Sequence, residues 1–368
     1  MSKVKSMKKS SVRNAATYGI VVLAFVLVTI FSKAGVLSRS AQGLLVPVCC
    51  YIVMAISLNL TVGILGELSL GHAGFMSIGA FTGVIVSMSL QAAIPSVALR
   101  LLIAILSGMI IAAVAGFIIG IPVLKLRGDY LAIVTLAFGE IIKELINCLL
   151  VGIDENGLHF IFNPTGAKSA DDLGLTEAGK VIIKGAQGAT GTQTIANFTT
   201  GIILILVSLF IVLNFVNSRT GRAVLAIRDN RIAAESCGIN ITKYKMIAFV
   251  ISAAIAGAAG ALYGMNYSNL TSSKFDFNTS ILVLVFVVLG GLGNMLGSII
   301  AATVLYVLPE ALREFADYRM LMYAIVLILV MLATNNPQVK NLFSKIIPGK
   351  KKDKSKSKKA VKKEGAAK

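Results

Sequence analysis

Charge is scarce in this chain. Of its 368 residues only 14% are Asp, Glu, Lys or Arg and 56% are hydrophobic, and the mean hydropathy of +0.83 lies far above that of ordinary soluble domains. That scarcity excludes a water-soluble fold and predicts a polytopic membrane protein. Histidine is scarcer still, with His72 and His159 alone, and no metal-ligand spacing or nucleophile, base and orienter set can be read from the chain. Four cysteines, Cys49, Cys50, Cys148 and Cys237, show no C-x-x-C spacing, and three fall in apolar runs. A zinc site and a disulfide framework are therefore not expected, and reduced structural thiols are. No cofactor, metal ion or nucleic-acid partner is expected.

What the sequence has in abundance is apolar runs of membrane-spanning length, roughly 20 residues for a helix. Candidate spans are Tyr18–Phe31, Gly43–Val62, Ala73–Leu90, Val97–Leu124, Tyr130–Val151, Phe198–Val216, Met246–Tyr267, Thr279–Leu308 and Met320–Ala333. The opening MSKVKSMKKSSVR precedes an apolar run without a small-residue cleavage site, so it reads as a basic N-terminal tail (residues 1–14) before a retained first helix. Positive charge on short loops marks the cytoplasmic side. With the N-terminus inside, Lys125 and Arg127, the stretch Arg219–Lys245 and a Lys-rich disordered tail over residues 336–368 also fall inside, and these hold most of the 35 Lys and Arg residues. The transmembrane part then covers residues 15–335. One condition follows from this orientation. The Thr279–Leu308 run must enter and leave on the outer face as a broken-helix hairpin, with Gly290, Gly291, Gly293 and Asn294 interrupting two half-helices in the middle of the membrane.

Residues 152–197 are too polar to span and form an external segment, suited to a cap, a docking surface or a plain loop. Within it, Gly174 to Val181 has the spacing of a phosphate-binding loop, but Val181 replaces the Mg²⁺-holding hydroxyl and no buried strand precedes it. GGLGNMLG likewise lacks the spacing of a dinucleotide fingerprint and reads as glycine packing. The pairs Gly79 and Gly83, Gly116 and Gly120, and Gly260 and Gly264 each place two glycines on one helix face, for packing within the bundle or for subunit association.

Polar residues at membrane depth are costly and point to use, at about 3 kcal/mol or more for an ionised group. Asn59, Glu67 and His72 lie in a glycine-broken stretch, and Glu140 follows Asp129 along another span; these four are candidates for a translocation path. The bland alternatives are an i, i+3 pair of Glu140 with Lys143 and a locally packed neutral His72. The basic stretch over residues 218–245 reads as a short helix Ile232–Cys237, capped by Asp229 or Asn230 and stopped by a left-handed Gly238, with Thr242 or Asn240 capping the next span. Its charges either dock a soluble partner or only enforce topology.

LNLTVGILGELSLGHAGFMSIGAF, RGDYLAIVTLAFGEIIK, RTGRAVLAIRDNRIAAESCGINITKYKMIAFVISAAIAGAAGALYG and VVLGGLGNMLGSIIAA together resemble blocks of the permeases of bacterial ABC importers for branched-chain amino acids. The resemblance covers most of residues 43–332, is weak over 152–197 and is absent from both tails. It implies an all-α polytopic bundle in the bacterial cytoplasmic (inner) membrane, with Arg228, Asp229, Ile232, Ala233, Ala234 and Gly238 in a coupling helix that docks on an ATPase. Ile232 stands where the general importer motif begins with Glu, and many relatives have Gln at the position of Glu67. The implied partners are a second homologous permease subunit, two cytoplasmic ATP-binding subunits, an extracytoplasmic solute-binding protein and membrane lipid. ATP hydrolysis belongs to the partner chain, and Leu, Ile and Val are the default cargo, with amides, urea or nucleosides in the wider family. An ion-gradient-driven secondary transporter would instead use Glu67, His72 and Glu140 as coupling groups and predicts inverted repeats, which are not evident.

Overall fold

Helix α4 (Val97–Val123) has its bulk on the outside. Leu102, Leu106, Ile110, Phe117 and Ile118 are exposed, while Ala104, Gly108, Ala112 and Gly116 face inward. Large apolar residues outward and small ones inward is the arrangement of a helix whose neighbours approach closely and whose far side meets lipid. It recurs in a computed structural model that describes residues 2–35, 38–91, 93–126, 128–154, 157–164, 173–175 and 179–313, with scattered positions up to 328 and side chains from Thr17 onward. The tail 336–368 and most of the expected span Met320–Ala333 lie outside the described residues.

Among the described residues, six helices are long and apolar enough to cross a membrane, and two shorter apolar helices accompany them. Helix α1 runs without interruption from Ser2 to Lys33, through the stretch expected as a separate tail, because nothing before Gly19 breaks it. Helix α2 (Arg39–Asn59), continued by a π-helical turn Leu60–Leu65, is the centre of the bundle: 89% of its apolar window is buried, against 28% for α4. Helix α3 (His72–Ser89) and helix α9 (Ile241–Gly264) pack beside it. The packing is glycine-mediated. A Cβ at Gly79 would lie 2.0 Å from the Gly257 carbonyl oxygen, and one at Gly260 would lie 1.9 Å from that of Met76. Gly116 and Gly120 similarly meet Ala253 and Met246 of α9, so all three glycine pairs pack within this one chain.

Helix α5 (Asp129–Asn147) carries Glu140, Lys143 and Glu144 in its second half and is not among the six apolar helices. It ends before the expected boundary at Val151, because Leu149 already belongs to a strand. A small sheet accompanies the helical bundle. Strands β1 (Leu149–Asp154), β2 (Gly157–Phe162), β3 (Lys180–Lys184), β4 (Ala189–Thr190) and β5 (Asn269–Leu270) form an antiparallel sheet in the order β2-β1-β3-β4-β5. Period-two alternation of Leu158, Phe160 and Phe162 against Leu149, Val151 and Ile153 favours pairing over continuation of the helix. Lys180 and Val181, the end of the phosphate-loop lookalike, open β3, where a true phosphate loop would feed a helix.

Helix α6 (Phe198–Asn217) leads from this sheet end to an opposite, basic end formed by α7 (Arg219–Asp229) and α8 (Arg231–Ser236). From there α9 returns to β5, and α10 (Phe277–Gly290) and α11 (Met295–Ala311) follow. Asp276 caps α10 by accepting from Thr279 N at 2.9 Å. Both arms pass Tyr51 of α2, with ring centroids 6.2 Å from Phe286 and 4.5 Å from Tyr306. Tyr51 lies about 12 Å up α2 from Asn59, against which the turn rests, so the chain enters and leaves on the sheet side. The turn itself is not midway. It sits at the basic end, because α10 with its preceding 3-10 turn forms a 19-residue apolar run long enough to reach it.

Candidate coupling and translocation site

Every helix start at the basic end is fixed by a short polar side chain. Ser218 Oγ accepts from Gly221 N at 3.1 Å, Asn230 Oδ1 from Ala233 N at 3.1 Å, and Asn240 Oδ1 from Lys243 N at 3.0 Å. Of the expected alternatives, Asn230 and Asn240 are therefore the caps. Asp229 is instead the last residue of α7, an 11-residue helix that the sequence reading left out. Helix α8 ends as its sequence requires. Gly238 adopts φ +79, its N–H reaches Glu235 O at 2.9 Å, and Ile239 N–H reaches Ala234 O at 3.1 Å, the paired bonds of a Schellman stop. Ala234 is buried with Ile227 and Ile241, whereas Ile232 is 78% exposed and Ala233 is exposed beside it. One face of α8 holds the knob together and the other offers apolar surface.

Behind the knob, α2 gives way to the π-helical turn, which ends with the Gly66 and Glu67 N–H groups both on Thr61 O. Gly63 O lies in this last turn, whose carbonyls need partners from outside the helix. Arg228 supplies one: its Nη1 donates to Gly63 O at 2.8 Å. The stem of Arg228 lies on Gly66, which has φ +80 and where a Cβ would stand 2.6 Å from Arg228 Cγ. Arg228 Nε and Nη2 meanwhile donate to Asp229 Oδ1 at 3.3 and 3.1 Å. On the far side of Gly63, Asn59 Oδ1 accepts from Gly293 N at 2.8 Å and Asn59 Nδ2 donates to Ser298 Oγ at 2.8 Å. Among the hairpin glycines, Gly291 and Gly293 have φ of +93 and +78, and Gly290 packs on Gly297 and Ser298, where a Cβ would meet Ser298 N at 2.4 Å. Asn294 N–H closes the turn on Gly291 O at 3.0 Å.

Glu67 is tied to α9. Its carboxylate is ion-paired with Lys245, which is only 4% exposed. Neighbouring His72 is buried in a hydroxyl cluster, its Nε2 2.9 Å from Ser57 Oγ and 3.0 Å from Ser252 Oγ. Ser57 and Ser252 each donate to the other's carbonyl at 2.7 Å, and Thr61 Oγ1 donates to Ser252 Oγ at 2.8 Å. With both serine protons turned to carbonyls, the hydrogen-bond network assigns the ring proton to Nε2. Glu140 lies elsewhere, paired with Lys143 and accepting from Phe277 N at 3.1 Å, a carboxylate at the N-terminus of α10. The structure thus gathers Asn59, Glu67, Arg228 and the hairpin turn at the basic end, puts His72 on α3 nearby, and separates Glu140 from them.

The family model described as branched-chain amino acid transport system / permease component matches residues 40–334. The chain belongs to this family. The high-affinity branched-chain amino acid transport system permease protein LivM of Salmonella typhimurium is 36% identical over 304 residues, covering 80% of this chain and 69% of that protein. LivM of Escherichia coli is 36% identical over 293 residues, covering 77% of this chain and 66% of the relative. LivH of Escherichia coli, a permease protein of the same named system, is 24% identical over 288 residues, covering 77% and 88%. The chain spans about two thirds of the length of the two LivM relatives it matches. No solved structure gives a significant match.

This permease is a multi-pass membrane protein, and the matched range contains all of the junction at its basic end. Sequence reasoning missed Lys245 as a buried partner, because it was counted among the basic charges of the loop, and the bond of Arg228 to Gly63 O, because Arg228 was assigned to the docking helix. A signal existed for each. Lys245 follows an Asn cap by five residues and so falls on the first turns of a buried span, and Gly63 and Gly66 mark a backbone open to a close neighbour.

Proposed function

We propose that this permease is the membrane subunit of an ATP-driven importer that moves branched-chain, or related small, amino acids across the bacterial cytoplasmic membrane. It pairs with a second, homologous permease subunit, docks one of the complex's two cytoplasmic ATP-binding subunits through α7 and α8, and receives solute from an extracytoplasmic binding protein. ATP hydrolysis belongs to the ATP-binding subunits. The observation that carries this reading is the capped and Schellman-stopped α8, which exposes Ile232 and Ala233 on a basic knob rigidly joined to α6 and α9. A six-residue helix has little stability alone, so its fixed geometry supports use as a docking tip. On this reading Asn59, Glu67 and His72 anchor the elements that line the route, and Glu140 holds the start of α10.

Copurification from native membrane tests the class. Retention of an ATPase pair and a binding protein that carries leucine is the expected result. Leucine uptake that persists under ATP depletion and stops when the proton gradient collapses would instead make the chain a secondary carrier.

A further inference from the structure

We propose that Arg228 is an internal strut rather than a docking residue: its guanidinium ties the knob to the π-helical turn and, through Gly63 and Asn59, to the turn of the α10–α11 hairpin. The inference rests on the importer reading and assigns a positioning residue within it. Three contacts carry it. Arg228 Nη1 takes up the Gly63 carbonyl, one of those in the last turn of the π-helical segment that need partners from outside the helix. The same turn is in backbone contact with the hairpin, since a Cβ at Gly63 would stand 2.3 Å from Gly293 N and 1.9 Å from Asn59 Oδ1. Asn59 then holds both ends of the turn, Gly293 N on one side and Ser298 Oγ on the other.

The remaining guanidinium nitrogens are held by the exposed Asp229 of the same helix, so the head is oriented from within the knob while Nη1 reaches inward. A displacement of α7 and α8 would therefore pull on Gly63 O before it reached any other part of α2. Arg is suited to this because its fork can hold a carbonyl and a carboxylate at once, which a lysine ammonium on a flexible stem does less well. The connection from docking surface to hairpin is four residues long: Arg228, Gly63, Asn59 and Gly293.

The test uses the whole complex with its ATPases, second permease and binding protein in proteoliposomes, with leucine as the solute. Arg228→Ala is expected to keep ATPase capture within about twofold of wild type while leucine-stimulated hydrolysis and uptake fall about tenfold, the loss of one charge-assisted hydrogen bond. Lys33→Ala, at the exposed end of α1 and outside α7 and α8, should leave both unchanged. Asn59→Ala should also lower stimulation, and the double variant should be no worse than the more severe single one, because both cut one connection. Loss of ATPase capture in step with uptake would make Arg228 a docking residue and overturn the strut. So would wild-type stimulation in Arg228→Ala, or a double variant in which the two losses multiply. Should Arg228→Ala fail to insert, Arg228→Lys carries the same arms, with an intermediate loss of stimulation and full capture expected. A wild-type complex that retains no ATPase would count against the importer reading itself and not against the strut.

Discussion

Replacement of Gly238 separates backbone conformation from side-chain size at the tip of the knob. Gly238 has φ +79, and no atom lies within 4 Å of the place a Cβ would occupy, so volume alone meets no obstacle there. What a substitution meets is the left-handed backbone, which costs an L-residue about 1–2 kcal/mol, less for Asn and more for a β-branched residue. Helix α8 has six residues and depends on the Schellman bonds at Gly238 and Ile239 to keep its end in place. A cost of 1–2 kcal/mol lowers the population of the docking geometry by about 5- to 30-fold. The expected order of ATPase capture and of leucine-stimulated hydrolysis is Gly, then Asn, then Ala, then Val, although Asn is larger than Ala. All four should insert and pair with the partner permease, since a side chain at this position meets no atom of a span within 4 Å of its Cβ. Capture that follows volume, with Ala ahead of Asn, or a Val variant equal to wild type, would refute the reasoning.

Two further substitutions follow from the same end of the molecule. Glu67→Gln leaves Lys245 charged and only 4% exposed without its carboxylate, which costs up to about 3–5 kcal/mol; melting of the detergent-solubilised chain should drop and should recover when Lys245→Met is added. An unchanged melting temperature in Glu67→Gln would show that the pair is solvated. Asn230→Ala removes the cap of α8, worth about 1 kcal/mol, and should weaken ATPase capture, whereas Asp229→Ala leaves that cap in place and should affect capture less; the opposite ranking in pull-down would mean that Asp229 itself contacts the ATPase.

The path from sequence to structure was clearest where one physical rule dominated. Apolar length placed the spans, and glycine spacing placed the contacts of α3, α4 and α9, because backbone approach leaves no other residue type in those positions. The turn at Gly238 was legible for the same reason, since a left-handed stop has few permitted residues. Strand β1 was not, because Leu149 to Val151 continues the apolar character of α5 and only pairing with β2 distinguishes strand from helix. The charged residues were the least legible. Whether Arg228 or Lys245 faces water or protein depends on the π-helical turn and its Gly63 carbonyl, which no spacing in the basic stretch records.

The same geometry indicates which parts can move. Helices α3, α4 and α9 meet backbone to backbone: a Cβ at Gly79 would stand 2.0 Å from Gly257 O, and one at Gly257 would stand 2.6 Å from Gly108 O. Sliding one helix past another would drive carbonyls into Cα atoms, so these three behave as one slab. The α10–α11 hairpin meets the π-helical turn backbone to backbone at one point, Gly63 against Gly293, and is held beside α2 by side chains, the two hydrogen bonds of Asn59 and, higher up, the rings around Tyr51, contacts that small rotations can exchange. A stroke delivered through α8 should therefore move the hairpin against the slab rather than shear the slab. Cysteine pairs test this in a chain lacking Cys49, Cys50, Cys148 and Cys237. Asn59→Cys with Ser298→Cys, positions now joined by a 2.8 Å hydrogen bond, should on oxidation stop uptake while ATPase capture persists, and reductant should restore uptake to the level of the never-oxidised pair. Ser57→Cys with Ser252→Cys, whose hydroxyls are 3.2 Å apart, joins α2 to α9 and should leave uptake unchanged on oxidation. Full uptake with the 59–298 bond formed would mean that the hairpin stays fixed through the cycle and that the motion lies elsewhere.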